Sequence, residues 1–367
     1  MKGLFTSLLL VVPGISGLMV PAAMAHDESS CDPVETAKLL ASDGSEGDKF
    51  GSFVAISGNT ALVGAYSDDD DGTDSGSAYI LEQQQDGSWL ETAKLLASDG
   101  TLYDKFGYSV AISGTTALVG SYGDDDNESA SGSAYIFQQQ QDGSWLETAK
   151  LLASDGASDD RFGYNIAISG TIALVGNYAD DDNESSSGSA YIFQQQQDGS
   201  WLETTKLLAS DGASSDYFGH SVDISGTIAL VGAYGDDDNE SASGSAYIFE
   251  QQQDGSWPET AKLLASDGSI AEQFGYSVAI SGTAAIAGSR LDDDNGADCG
   301  SAYIFETACQ CPDTNGDGFI DVNDALIVID AWGDCVPDQD CPADVDDDGL
   351  VNVNDILLVI SSWGDCS

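Results

Sequence analysis

The sequence predicts an all-β propeller of five four-stranded blades closed by the N-terminal strand, followed by a small α-helical domain of paired calcium loop–helix units. Three observations predict it. Phe50, Phe106, Phe162, Phe218 and Phe274 are each followed by Gly and stand 56 residues apart, the mark of a repeat architecture. Each unit contains short runs rich in Val, Ile and Tyr, punctuated by Gly, Ser, Asp and Asn, as antiparallel strands require. After Phe305 the repeat stops, and two Asp-rich loops begin at Asp313 and Asp344, each running into an apolar stretch.

Residues 1–25 read as a secretion signal. Lys2 gives a positive start, Leu4 to Val12 an apolar run, and Ala23-Met24-Ala25 a cleavage site. Pro13 and Gly14 break the run too early for a membrane span; an uncleaved N-terminal anchor is the competing reading. No other long apolar stretch follows, so the product is expected to be secreted, extracellular or at the cell surface, with no membrane span.

Residues 26–308 form the predicted propeller. In the second unit the strand-like runs are SVAIS (109–113), TALVGSY (116–122), SAYIF (133–137) and the run into ETAKLLA (147–153). SGTT is a tight turn, and the Asp-Gly of QDGSW is a hairpin signal. Four antiparallel strands at this period read as a propeller blade; an open solenoid of stacked hairpins is the competing architecture. The fourth-strand motif ETAKLLASDG also occurs at 35–44, ahead of the first Phe-Gly, while the last unit stops after its third strand. Residues 35–41 are therefore expected to pair with 301–306 and close the ring, leaving no open sheet edge. Aligned on the repeat, Cys31 replaces Gly143 and Cys309 replaces Gln141, flanking one hairpin turn. A Cys31–Cys309 disulfide is expected, with Cys311 as the alternative partner; pairing with other thiols of the tail competes.

Ten Lys and Arg stand against 63 Asp and Glu, with no basic residue after Arg290. Such a surface repels nucleic acid and anionic lipid and favours cations or basic partners. A hydrophobic content of 41% with 14 Tyr and 12 Phe argues for a packed core rather than disorder. Strands alternate in direction, so the second-to-third and fourth-to-first connections emerge on one face. Both are acidic: DDDD (68–71) and DDDNE (124–128) exemplify the first, SDGTLYDK the second. A solvated surface and weak calcium binding are both consistent with this carpet. Trp89, Trp145, Trp201 and Trp257 recur once per blade, either packed between hairpins or forming a sugar-stacking ring. His26 and His220 are the only histidines, which argues against a histidine-based catalytic centre.

In residues 309–367 the two loops fit a calcium-loop pattern. Asp313, Asn315, Asp317, Asp321 and Asp324 take positions 1, 3, 5, 9 and 12 of the first, with the Phe319 carbonyl at 7 and Gly318 at the sharp turn. Asp344, Asp346, Asp348, Asn352 and Asp355 take the same places in the second, with Leu350 at 7 and Gly349 at 6. Converging oxygens need a cation, so two calcium ions are expected to couple to folding. Helices are predicted over Asp324–Trp332 and Asp355–Trp363, with the last ligand of each loop near a helix N-terminus. Cys311, Cys335, Cys341 and Cys366 could staple this small core, and Cys299 is the candidate unpaired thiol.

Phe-Gly opening each unit, with Gly-Ala-Tyr (64–66, 232–234), Gly-Ser-Tyr (120–122) or Gly-Asn-Tyr (176–178) after the second strand, resembles the FG-GAP repeats of integrin α chains and bacterial surface proteins. That family's propellers have seven blades and a calcium loop between the two elements. Here that connection is only SGTT or SGNT, so the calcium site does not carry over. The loop-plus-exit-helix duplication, with Cys-Pro where an EF-hand has its entering helix, resembles the type I dockerin. That resemblance implies docking onto a cohesin-like domain in either of two orientations. It also implies partner selection by Val322-Asn323 and Val353-Asn354, where cellulosomal dockerins commonly carry Ser-Thr.

Together these features imply an exported, non-catalytic binding or adhesion protein tethered by a calcium-dependent module, with carbohydrate or a basic protein at the propeller. A component of a polysaccharide-degrading complex, with glycosidase-type activity or carbohydrate binding, is the alternative. A structural surface protein is another. A glycosidase needs two carboxylates across a cleft, and near-identical blades provide no distinctive pocket.

Overall fold

Each repeat folds into one antiparallel sheet whose strands are neighbours in sequence, because every turn carries the chemistry a hairpin needs. Between residues 35 and 306 the computed structural model describes every residue except Asn295; of the C-terminal region it describes 314, 319–334, 343, 350–361 and 364–365. The first blade is β1 (Val54–Ser57), β2 (Thr60–Ala65), β3 (Ser77–Gln83) and β4 (Trp89–Leu95). The second is β5 (Ser109–Ser113), β6 (Thr116–Ser121), β7 (Ser133–Gln139) and β8 (Trp145–Leu151). The third is β9 (Ile166–Ser169), β10 (Ile172–Asn177), β11 (Ser189–Gln195) and β12 (Trp201–Leu207). The fourth is β13 (Ser221–Ser225), β14 (Ile228–Ala233), β15 (Ser245–Glu250) and β16 (Glu259–Leu263). The fifth has only β17 (Phe274–Ser281), β18 (Ala284–Ser289) and β19 (Ser301–Glu306). In the SGTT turns Ser113 pairs with Thr116 across two residues, and Gly114 has φ 58°. That is where a type II′ hairpin needs positive φ.

The core lies between blades rather than within them. Leu62, Ile80 and Leu95 of the first blade pack on Ile112, Ala117, Val119 and Tyr135 of the second. The third joint repeats the pattern with Leu174 and Ile192 against Ile224 and Val231. Each side chain buried this way contributes roughly 1.5–3 kcal/mol. The backbones meet as closely as glycine allows. A Cβ on Gly120 would lie 2.1 Å from the carbonyl oxygen of Gly163, and one on Gly176 would lie 2.0 Å from that of Gly219. The glycine near the end of the second strand of one blade thus touches the Phe-Gly glycine of the next, which explains why both recur.

The N-terminal strand expected to close the ring is not formed. Residues 35–41 adopt no strand, the fifth sheet stays three-stranded, and its trailing face is open. Ile304 is 72% exposed there, whereas its counterparts Ile80, Ile136 and Ile192 are fully buried. The leading face of the first blade is equally bare, with Val54 68% exposed. Hairpins hold β4, β8, β12 and β16 beside their neighbours. A closing strand has no such hairpin and must bring together residues from opposite ends of the repeat region, at a larger loop-closure cost.

In the tail, α1 (Val322–Asp330) and α2 (Val353–Ser361) are joined by two short crossed ladders. β20 (Phe319–Ile320) and β21 (Gly333–Asp334) flank α1, and β22 (Leu350–Val351) and β23 (Gly364–Asp365) flank α2. β20 pairs with β23, and β21 with β22. Both helices start two residues earlier than the expected Asp324 and Asp355. The reason in α1 is local: Asp321 caps the helix, so the turn begins immediately after it. Ala325, Val328, Ala343, Val351 and Val359 form the small core. Cys299 is free and exposed, as expected. The expected signal segment, Cys31 and Cys309 lie outside the described residues.

Candidate functional site

The first loop ends in a reciprocal cap. Asp321 Oδ1 accepts a hydrogen bond from the Asn323 amide at 2.7 Å, and Asp324 Oδ2 accepts one from the Asp321 amide at 2.8 Å. Thr314 Oγ1 donates to Asp324 Oδ1 at 3.2 Å. Asp324 is fully buried, and no Lys, Arg or His follows Arg290 in the sequence. The hydrogen bonds this carboxylate accepts offset the cost of its burial. The oxygen-only donor set at positions 1, 3, 5, 7, 9 and 12 fits a hard divalent ion. Of the expected ligands, the structure places Asp321, Asp324, Asn352 and the backbone of Phe319, Leu350 and Asp355. Asp313, Asn315, Asp317, Asp344, Asp346 and Asp348 lie outside the described residues.

Both helices present an apolar stripe outward. Val322, Leu326 and Ile329 on α1 are each about half exposed, as are Val353, Leu357 and Ile360 on α2. The two sets share the spacing i, i+4, i+7 and stand 31 residues apart, so the module carries one surface twice. Asn323 is exposed beside Val322; the Asn354 side chain lies outside the described residues.

On the blades, the acidic connections meet as expected on one face, and in the first four blades they enclose a lysine. Lys262 Nζ lies 2.7 Å from Asp211, 2.9 Å from Asp236 and 2.6 Å from Asp238. These three carboxylates fall within 4.8 Å of one another, a spacing a metal could use, but the ammonium already sits among them. Tyr247 Oη lies 2.9 Å from Asp211 Oδ1 and 2.7 Å from Asp236 Oδ2, and its ring faces the ammonium at 5.0 Å. Lys94, Lys150 and Lys206 repeat the arrangement. Burial opposes the charge of Lys262, yet its carboxylates hold its pKa above the ordinary lysine value. Neither a purely solvated carpet nor weak calcium sites describe these inner carboxylates; they are a structural ion-pair cage.

The repeats themselves decide the array's kinship. Residues 33–81, 89–137, 145–193, 201–249 and 257–305 match the FG-GAP repeat, and residues 312–363 match the dockerin type I domain. The chain belongs to the FG-GAP repeat family. No curated protein is significantly similar to it. Dockerin type I domains bind calcium and dock on cohesin domains, which accounts for the capped, oxygen-rich loops of this one.

The tryptophans of the FG-GAP array take the packing role. Trp257 is buried in the joint between the third and fourth blades, and Trp145 and Trp201 pack partly buried on theirs. A cavity of about 250 Å³ between the blades had no reading in the sequence. Phe53, Tyr108, Tyr164, His220 and Tyr276 line it, with neighbouring rings 4.7–5.3 Å apart. The signal for it is an aromatic residue recurring two places after Phe106, Phe162, Phe218 and Phe274. Burial lowers the His220 pKa to about 4, so the ring is neutral at ordinary pH.

Proposed function

We propose that the protein is an exported, non-catalytic docking component of an extracellular or cell-surface complex. In this reading residues 309–367 tether an FG-GAP array, residues 26–308, to a cohesin domain. Asp313, Asn315, Asp317, Asp321 and Asp324 would hold one calcium ion with the Phe319 carbonyl. Asp344, Asp346, Asp348, Asn352 and Asp355 would hold the second with that of Leu350. Bound calcium supplies the positive charge that lets these carboxylates converge and fixes the start of each helix. The observation that carries the reading is the duplicated stripe: Val322, Leu326 and Ile329 repeat as Val353, Leu357 and Ile360, all exposed. Exposed apolar stripes on so acidic a chain are an interaction surface, and their duplication gives a partner two equivalent ways to sit.

The array supplies the displayed surface. Its inner carboxylates are committed to lysines, while Asp125, Asp181 and Asp237 remain exposed, a field that favours a basic protein ligand. The burial of Trp145, Trp201 and Trp257 in the joints weighs against sugar stacking on those rings. Membership of a cellulosome-like assembly follows from docking, without requiring hydrolysis by this chain.

Calorimetry of the full chain against a type I cohesin domain, with calcium and with chelator, tests the proposal. Leu326→Asp alone should change affinity by about twofold, since one of two equivalent faces is lost. The double variant Leu326→Asp/Leu357→Asp should abolish binding. Undiminished binding of the double variant, or binding in chelator, would refute the reading.

A further inference from the structure

The two docking stripes differ by one charge. Between Val322 and Trp332 seven side chains are exposed. The sequence 31 residues on repeats five of them unchanged, the Val, Asn, Leu, Ile and Trp. Only Asp330 and Ala331 change, to Ser361 and Ser362. The duplication therefore copies the apolar stripe and leaves one carboxylate on a single copy.

Asp330 stands where the chemistry of its own helix disfavours it. It is the last residue of α1, and the carbonyl groups at a helix C-terminus repel a negative charge. No basic residue shares its turn, and it makes no hydrogen bond or ion pair among the described residues. α2 ends instead on the neutral Ser361. A residue that breaks a local rule, with no compensating contact inside the chain, marks a place where function overrides helix stability.

The surroundings of Asp330 say what it meets. It lies four places after Leu326, one turn on, at the flank of the stripe. With Leu326, Ile327 and Ala331 it borders a groove of about 490 Å³. Three of these walls are apolar and the fourth is an acid. A Lys or Arg side chain suits that shape, its methylene stem along Leu326 and Ile327 and its charged head on the carboxylate. A second copy of this module does not suit it. The module contains no basic residue, so self-association would bring carboxylate against carboxylate.

We propose that Asp330 makes the two docking orientations unequal, an inference that rests on the docking function proposed above. A cohesin domain with a Lys or Arg at the rim of its docking face seats preferentially on α1, with that cation in the groove against Asp330. On α2 the same domain gains the apolar contacts alone. Rim charges are screened by salt, so the preference belongs to low ionic strength, where one exposed ion pair supplies about fivefold. Losing the α1 face there costs about sixfold and losing the α2 face almost nothing. The twofold loss of equal faces returns at high salt.

The test measures affinity by calorimetry on full-length chains in saturating calcium, against a type I cohesin domain with a basic docking rim. At about 20 mM salt Leu357→Asp, which leaves only α1, should bind about fivefold tighter than Leu326→Asp, which leaves only α2. At about 500 mM the two should agree within about twofold. Adding Asp330→Asn to Leu357→Asp should erase the low-salt advantage, and adding Ser361→Asp to Leu326→Asp should create it on α2. Should either Leu variant lose its helical signal, Asp330→Asn alone decides, with a loss of about threefold at low salt and none at high salt. Equal affinities of the two Leu variants at low salt, or an Asp330→Asn variant that binds as the unaltered chain does, would overturn the inequality and leave docking intact. An unaltered chain that does not bind at all would overturn docking, and this inference with it.

Discussion

The FG-GAP array and the dockerin domain solve the same problem in opposite ways. Both gather carboxylates at the ends of short elements, and both must offset the repulsion. The array supplies the cation from its own chain: Lys262 sits among Asp211, Asp236 and Asp238. The dockerin domain contains no basic residue and leaves the charge to an ion from solution. A built-in cation makes the array's joints independent of its surroundings. A borrowed one would make the tail a switch, since its core around Val328, Val351 and Val359 is small.

The largest expected effect separates the two regions outright. Removing calcium should cost the tail its helical signal and its cohesin binding entirely, while the thermal transition of the array stays where it was. Far-UV circular dichroism of the full chain with and without chelator reads both; a joint collapse would break the comparison.

Next is the converse experiment. Lys150→Ala leaves Asp99, Asp124 and Asp126 without their ammonium. It should destabilise the array by about 3 kcal/mol, the low end for breaking a buried ion pair, since two of the three carboxylates are partly exposed. Calcium affinity of the tail should not change. Denaturant unfolding and calcium titration on one sample check this.

The glycine joint is of similar size. Gly176→Ala drives a methyl to within 2.0 Å of the Gly219 carbonyl and should cost about 3 kcal/mol, as overpacking does. Gly143→Ala in a hairpin turn, at φ 85° with open space around it, should cost only about 1 kcal/mol. Equal losses would mean that close approach is not what fixes the glycines.

The smallest effect is on pH. Burial pushes Asp104, Asp160 and Asp216 up to about 6, and the charges of Asp124, Asp180 and Asp236 add to the rise. Between about pH 4 and 6 the folded array therefore holds protons that the unfolded chain has released. Stability from these groups falls as pH rises through that window. The cage carboxylates have the opposite sign. Lys94 holds Asp43 below its ordinary value, and at Asp99 burial, the largest influence, is outweighed by Lys150 and the Tyr135 hydrogen bond together, so their contribution is lost as pH falls below about 4. The array's Tm should peak between these limits. The tail, whose ion needs deprotonated ligands, should only lose stability on acidification. A Tm rising steadily from pH 4 to 7 would contradict the sign of the first group.

Much of the site was legible in advance. The calcium-loop positions follow a local spacing within one turn, and Asp321 and Asp324 fall where that spacing puts them. The acidic connections share a face because strands alternate, and Asp211 and Asp236 meet accordingly. The lysine between them was overlooked, although five lysines at one repeat position among ten basic residues are a strong signal. Lys262 reaches Asp211 across 51 residues, a contact no turn or periodicity announces.

The sequence by itself determined the repeat, the hairpins and the capped start of the first tail helix, since each depends on residues a few places apart whose turn and side-chain chemistry act locally. Only the tertiary structure decided what meets across blades: the glycine pairs, the ammonium in four of the acidic clusters, the aromatic-lined cavity and the bare faces of the first and fifth blades. Those contacts join residues from about half a repeat to a whole repeat apart, and the ones between blades form only when whole sheets stack, because the apolar surface that drives the stacking belongs to no single strand.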